Sequence, residues 1–143
     1  MNKLWCNNYT LTPIAKWCLE EILKMEDYSL SINCCVFLDS KSGEFIPPDT
    51  VHVSQDLLFP DNLRCLFHEI RHYYQFKKGI YDFNPKDFQP VLKPEMTVLE
   101  KQLEKYFAYQ NYPWELDANE FAMETMRQFW KSPVYAPYVS VAL

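Results

Sequence analysis

Between Phe59 and Gly79 the apolar residues Leu63, Leu66, Phe67, Ile70 and Tyr74 recur at helical spacing. Phe59-Pro60-Asp61-Asn62 supplies a helix start, and Gly79 stands where a C-cap belongs. Set into this helix is His68-Glu69-Ile70-Arg71-His72, an HExxH sequence. Two histidines four apart on a helix lie on one face, one turn apart, and can reach one tetrahedral metal ion. Glu69 is about 100° round the axis from His68. It therefore stands beside such an ion rather than on it, where it can take a proton from a water. The chain has only 3 His. From its composition, HExxH arises by chance in about one such chain in two hundred.

The remaining elements read as one domain over residues 1–143. A chain this long buries roughly 68–70% of its unfolded surface, enough for a core without disulfides. Thr12-Pro13 opens a helix, with Thr as N-cap and Pro at the first helical position. Ile14, Trp17, Cys18, Ile22 and Met25 carry its spacing to about Glu26. Residues 29–38 are β-branched and apolar and read as a strand, 44–46 as a short strand, and 50–54 as another. Residues 80–94, with three Pro, read as an extended loop. Pro94-Glu95 opens a helix to about Gln110. Pro113 starts a last helix running from Trp114 to about Trp130 and stopped by Ser132-Pro133. The expectation is an α+β fold: an N-terminal helix, a small sheet of two to three strands, the HExxH helix, and a C-terminal helix supplying a third ligand.

A catalytic zinc site takes three protein ligands and leaves the fourth position to water. Glu115 is the candidate third donor, in the first turn of the last helix, although the helix dipole alone also favours a carboxylate there. Asp117 and Glu120 compete with it; the three project in different directions, so one of them faces the ion. Asn119, one turn beyond Glu115, is placed to accept from the second ring nitrogen of His68 or His72. Ala118 and Ala122 let two helices approach closely. His52 is a substrate-side candidate and Cys65 an alternative ligand, while Arg71, Tyr106, Tyr109 and Tyr112 are possible transition-state donors. The competing readings are a surface or capping role for Asn119, a satisfied or exposed strand position for His52, a buried apolar thiol for Cys65, and ordinary packing for the alanines and tyrosines.

The pair His68-Glu69-x-x-His72 and Glu115-x-x-Ala118-Asn119-x-Phe121-Ala122 resembles the ImmA/IrrE-like metallopeptidases and related minimal zincins. Those proteins pair an HExxH helix with a later helix carrying ExxANxFA. The resemblance covers about residues 29–130 in order and type of elements. It implies a zincin-like fold, Zn²⁺ as cofactor, Glu115 as third ligand, and a regulatory protein such as a repressor as substrate. The chain departs from the family in Tyr73-Tyr74-Gln75 after the motif, where a small residue often follows, and in a longer Pro-rich insert.

Composition narrows the classes of partner. A net charge of −5 and a pI of about 5.2 repel phosphate backbones, so nucleic acid is not an expected partner. No run of 18 apolar residues occurs, so no membrane span is expected. The first residues turn polar at once, without the apolar region of a signal peptide. Five Cys, without a CxxC spacing, read as reduced thiols in a cytoplasmic protein. The expected activity is zinc-dependent cleavage of a narrow range of protein substrates, since an indiscriminate cytoplasmic protease would endanger its own cell. The substrate would add as a strand along residues 50–54. The alternative is a zinc-stabilised protein–protein interaction module, with Phe129, Trp130, Tyr135 and Tyr138 as partner surface. Retention of Glu69 favours the enzyme, because a purely structural zinc site needs no base. Oligomeric state is not legible.

Overall fold

A computed structural model describes residues 2–83, 90 and 92–142. Residues 84–89 and 91, about half of the expected Pro-rich loop, lie outside the described residues. The chain runs β1 (Lys3–Cys6), α1 (Thr12–Trp17), β2 (Ser29–Cys35), β3 (Gly43–Ile46), β4 (Thr50–Ser54), α2 (Asp61–Lys78), α3 (Val98–Gln110), α4 (Pro113–Phe129) and α5 (Tyr135–Ala142). The α+β expectation holds, with a sheet of four strands and five α-helices among the described residues.

The sheet order is β1-β2-β4-β3; β1, β2 and β4 are parallel and β3 is antiparallel to β4. Side chains alternate across a strand. Leu30 and Ile32 of β2 and Val51 and Val53 of β4 therefore point to one face and are buried. Ile14 and Trp17 of α1 and Leu63, Leu66, Phe67 and Ile70 of α2 belong to the same core. The Trp17 ring lies 6.0 Å from Phe67 and 6.1 Å from Phe129, which closes the core from α4. Gly79 ends α2 in the left-handed region at φ 65°, donating to the Gln75 and Phe76 carbonyls, as its position in the sequence predicts.

Four expectations need correction. The sheet has a further strand, β1, whose short and half-exposed Lys3-Leu4-Trp5-Cys6 gives no local signal. Asn7 extends its pairing: the side chain donates to Cys34 O at 2.9 Å and accepts from Cys34 N at 2.7 Å. The first helix follows Leu11 as N-cap, not Thr12, and beyond Trp17 it widens into a π-helical turn, Cys18–Ile22. The third helix starts at Val98, not Glu95, because Thr97 and Glu100 close a capping box with two 3.1 Å bonds. Ser132-Pro133 does stop α4, but the chain re-enters a helix, α5.

That last helix settles the aromatic tail. Phe129 and Tyr138 are buried, and the Phe129 ring packs edge-on against Tyr135 at 5.6 Å and Tyr138 at 5.9 Å. Asn62 at the head of α2 donates to the Tyr138 hydroxyl at 2.9 Å. The tail is thus mostly part of the domain's own core, with Trp130 partly exposed. Among the described residues, no helix is long and apolar enough to cross a membrane. All five thiols are free, as expected.

Candidate metal centre

Two helices build the site. α2 packs against β3 and β4 with its apolar stripe and meets α4 along another side. Ala118 and Ala122 are fully buried on α4, and their small side chains let it lie close to α2. His68 and His72 project from α2 into this junction, and Glu115 from the first turn of α4. Glu115 Oε1 is 3.2 Å from His68 Nε2, Glu115 Oε2 is 2.8 Å from His72 Nε2, and the two Nε2 atoms are 3.0 Å apart. Among the described residues these three form the one group of His, Cys, Asp or Glu able to hold a metal ion together.

The donor set fits zinc. Tetrahedral Zn²⁺ with N and O ligands at about 2.0–2.2 Å holds its donors about 3.3–3.5 Å apart, so these three need only open slightly. Two imidazoles and one carboxylate, with room for a fourth ligand on the cavity side, is also a donor set that zinc enzymes use. Two Nε2 atoms this close cannot both point bare lone pairs at each other, so a proton or a cation belongs between them. Desolvation raises the Glu115 carboxyl, but the bonds from His68 and His72 outweigh it and hold the group at about 2.

Glu69 lies next to this cluster without joining it. It is buried and lines the same cavity, about 1100 Å³ in volume. Burial pushes its carboxyl up to about 7, against the pull of His68 and His72. A carboxylate near neutrality beside a cation site is suited to moving protons. Tyr109 on α3 lines the same cavity with its ring half exposed; partial desolvation of its hydroxyl, and then the Glu115 charge, keep that phenol protonated well beyond the usual range. Tyr106 lines the cavity and accepts from Gln110 Nε2 at 2.6 Å.

The other candidates separate cleanly. Asp117 is turned away from the cluster and holds Arg71 in a two-pronged pair, with Nε–Oδ2 at 2.8 Å and Nη2–Oδ1 at 3.2 Å. Arg71 is thereby pinned over the Tyr74 and Phe121 rings, away from a transition-state role. Glu120 is exposed. Tyr112 packs between Tyr109 and Trp114, at ring distances of 5.6 and 4.9 Å. His52 lies on the sheet face opposite the buried Val51 and Val53, where its Nδ1 meets Glu44 Oε1 at 3.1 Å. Cys65 donates to Ser42 O at 3.3 Å, and burial, then the Glu69 charge, push its thiol up to about 12. Asn119 is exposed at the cavity wall. The amide at the second nitrogen of His72 is instead Gln75, at 2.8 Å. Its signal was its place three residues after His72, on the same side of α2.

A second residue that the sequence marks only as the end of a turn, 40–43, is Gly43, which stands at the head of β3. A Cβ there would sit 2.5 Å from Cys65 Sγ, 2.9 Å from His52 O and 3.2 Å from Glu69 Cγ. Only a residue without a side chain lets this strand press against the stem of Glu69. Phe45, two residues on, anchors the strand to α2 through Tyr73 and Phe76, at ring distances of 6.2 and 5.8 Å. We expect Gly43→Ala to cost about 1–3 kcal/mol, the range of overpacking, in urea unfolding. Adding Cys65→Ala should recover part of the loss, because the His52 carbonyl still obstructs the methyl. Full recovery would mean that the strand backbone is free to move.

No protein-family model, curated protein or solved structure matches the chain.

Proposed function

We propose that the protein is a zinc metallopeptidase of the minimal zincin type, acting in the cytoplasm on a narrow range of protein substrates. The observation that carries the reading is the convergence of His68, His72 and Glu115 within one cavity beside a buried carboxylate, Glu69, that is not part of the cluster. The resemblance to ImmA/IrrE-like metallopeptidases in the same four residues supports it.

In this reading His68 and His72 through Nε2, and Glu115 through its carboxylate, hold the ion. Zinc bound there lowers the pKa of a water toward about 7 and polarises the scissile carbonyl. Glu69 accepts the proton of the attacking water and passes it to the leaving amine. The peptide adds along β3, not along residues 50–54 as the sequence suggested. β4 is paired on both sides by β2 and β3, so its backbone groups are taken, whereas β3 is an edge strand and, unlike the other edge β1, lines the cavity, through Gly43, Glu44 and Phe45.

Metal analysis tests the reading. The purified protein should carry about one zinc per chain, and the double variant His68→Ala/His72→Ala should carry none. Zinc kept in full by the double variant would put the metal elsewhere and end the proposal. The alternative of a purely structural zinc domain is disfavoured, because such a site gains nothing from a buried acid beside it.

A further inference from the structure

Gln75 is fully buried between α2 and α4, and all its polar atoms are used. Its Nε2 donates to the Trp114 carbonyl at 2.9 Å and to Asp117 Oδ2 at 2.7 Å. Neither partner can donate: one is a backbone carbonyl, the other a carboxylate held by Arg71. The orientation of the amide is therefore forced by its partners. Its oxygen has to face His72 Nδ1, 2.8 Å away. A carbonyl oxygen only accepts, so Nδ1 must carry a hydrogen. The one ring nitrogen left to release a proton is Nε2, the atom turned toward His68 and Glu115.

We infer that Gln75 is a positioning residue that commits His72 to bind metal through Nε2, and that it does so only while α4 is docked on α2. The inference rests on the metal centre proposed above. The chain of orientation starts at Trp114, the residue next to Glu115, so one amide reads the seating of the turn that carries the carboxylate ligand and sets the tautomer of a histidine on the other helix. The Arg71–Asp117 pair braces the same junction: it fixes the carboxylate that Gln75 donates to, and spans α2 and α4 from the residue before His72 to the second residue after Glu115. Two ligands from different helices are thus prepared together, before any ion arrives. Outer partners of this kind commonly change metal affinity by about 10–100-fold.

Two measurements decide it. In nitrogen–proton NMR of the wild-type protein, His72 Nδ1 should carry a solvent-protected hydrogen both without metal and with zinc, and only Nε2 should change on loading. An Nδ1 lacking its hydrogen in either state, or bonded to zinc, overturns the inference and needs no variant. In competitive titration, Gln75→Met, which keeps bulk and removes the amide, should bind zinc about 10–100-fold more weakly than wild type, and its Nδ1 hydrogen should exchange rapidly. A folded Gln75→Met protein with wild-type zinc affinity also overturns it, since a merely structural glutamine would change stability and leave affinity alone. If the wild-type protein shows the protected Nδ1 hydrogen but takes up no zinc, the tautomer assignment is supported and the metallopeptidase reading is the one that falls.

Discussion

Glu69→Gln is expected to abolish peptide hydrolysis while leaving zinc content and fold intact. The side chain is buried and lines the cavity beside the three converging donors, yet is not one of them. Gln is nearly isosteric, so the packing of Glu69 against the head of β3 is preserved. It also relieves the cost of burying a carboxylate, so stability should hold or rise slightly. What it cannot do is accept a proton from water. General-base assistance contributes about 10²–10⁴-fold to rate, and a loss of that order is expected. Cleavage of a peptide library followed by mass spectrometry, alongside metal analysis, checks both halves. Loss of zinc would make Glu69 a ligand; undiminished cleavage would put the base elsewhere.

The second large effect is on the metal itself. Glu115→Ala should weaken zinc binding by more than about 10–100-fold, the worth of an outer partner, because in the proposed site it removes one of three direct donors. Both carboxylate oxygens of Glu115 are directed at the histidines, at 3.2 and 2.8 Å. Asp117→Ala should fall in between. Its carboxylate does not join the His68, His72 and Glu115 cluster, but it fixes Arg71 and receives the Gln75 amide. Glu120→Ala should leave affinity unchanged, since the residue is exposed. The order Glu115, Asp117, Glu120 in a competitive zinc titration is thus a graded test. Equal affinities would reduce Glu115 to a helix-terminal charge.

What could be read from the chain was what repeats within one helix. The stripe Leu63, Leu66, Phe67, Ile70, the C-cap Gly79 and the one-turn spacing of His68 and His72 are local, and each appears in α2 as expected. Glu115 was legible because Pro113 announces the start of α4 and puts the acid in its first turn. What depended on pairing across the chain was not. β1 is made by a parallel register with β2, more than twenty residues away, and no spacing inside four residues announces it. The edge of the sheet was misread for the same reason: which strand is outermost is a property of strand order. Gln75 and Gly43 matter through what α4 and β3 bring against them, so their neighbours in sequence say little. For Gly43 the one available signal is the rarity of glycine, 2 in the whole chain.

α3 has no buried residue, and Val98, Leu99, Leu103 and Phe107 are all exposed. It is secured at its start by the Thr97–Glu100 capping box, and at its end by the ring contacts that link Tyr109 through Tyr112 to Trp114. α2 and the N-terminal half of the sheet, by contrast, cannot open without exposing the core. The two sides of the cavity are therefore expected to belong to different cooperative units: the wall bearing the histidines should unfold with the whole domain, and the wall bearing Tyr106 and Tyr109 should fray alone at a much smaller free energy. Amide exchange along 98–110 would then report on the width of the cleft, while exchange along 61–78 would report on the stability of the protein, and the two would respond to different denaturant concentrations.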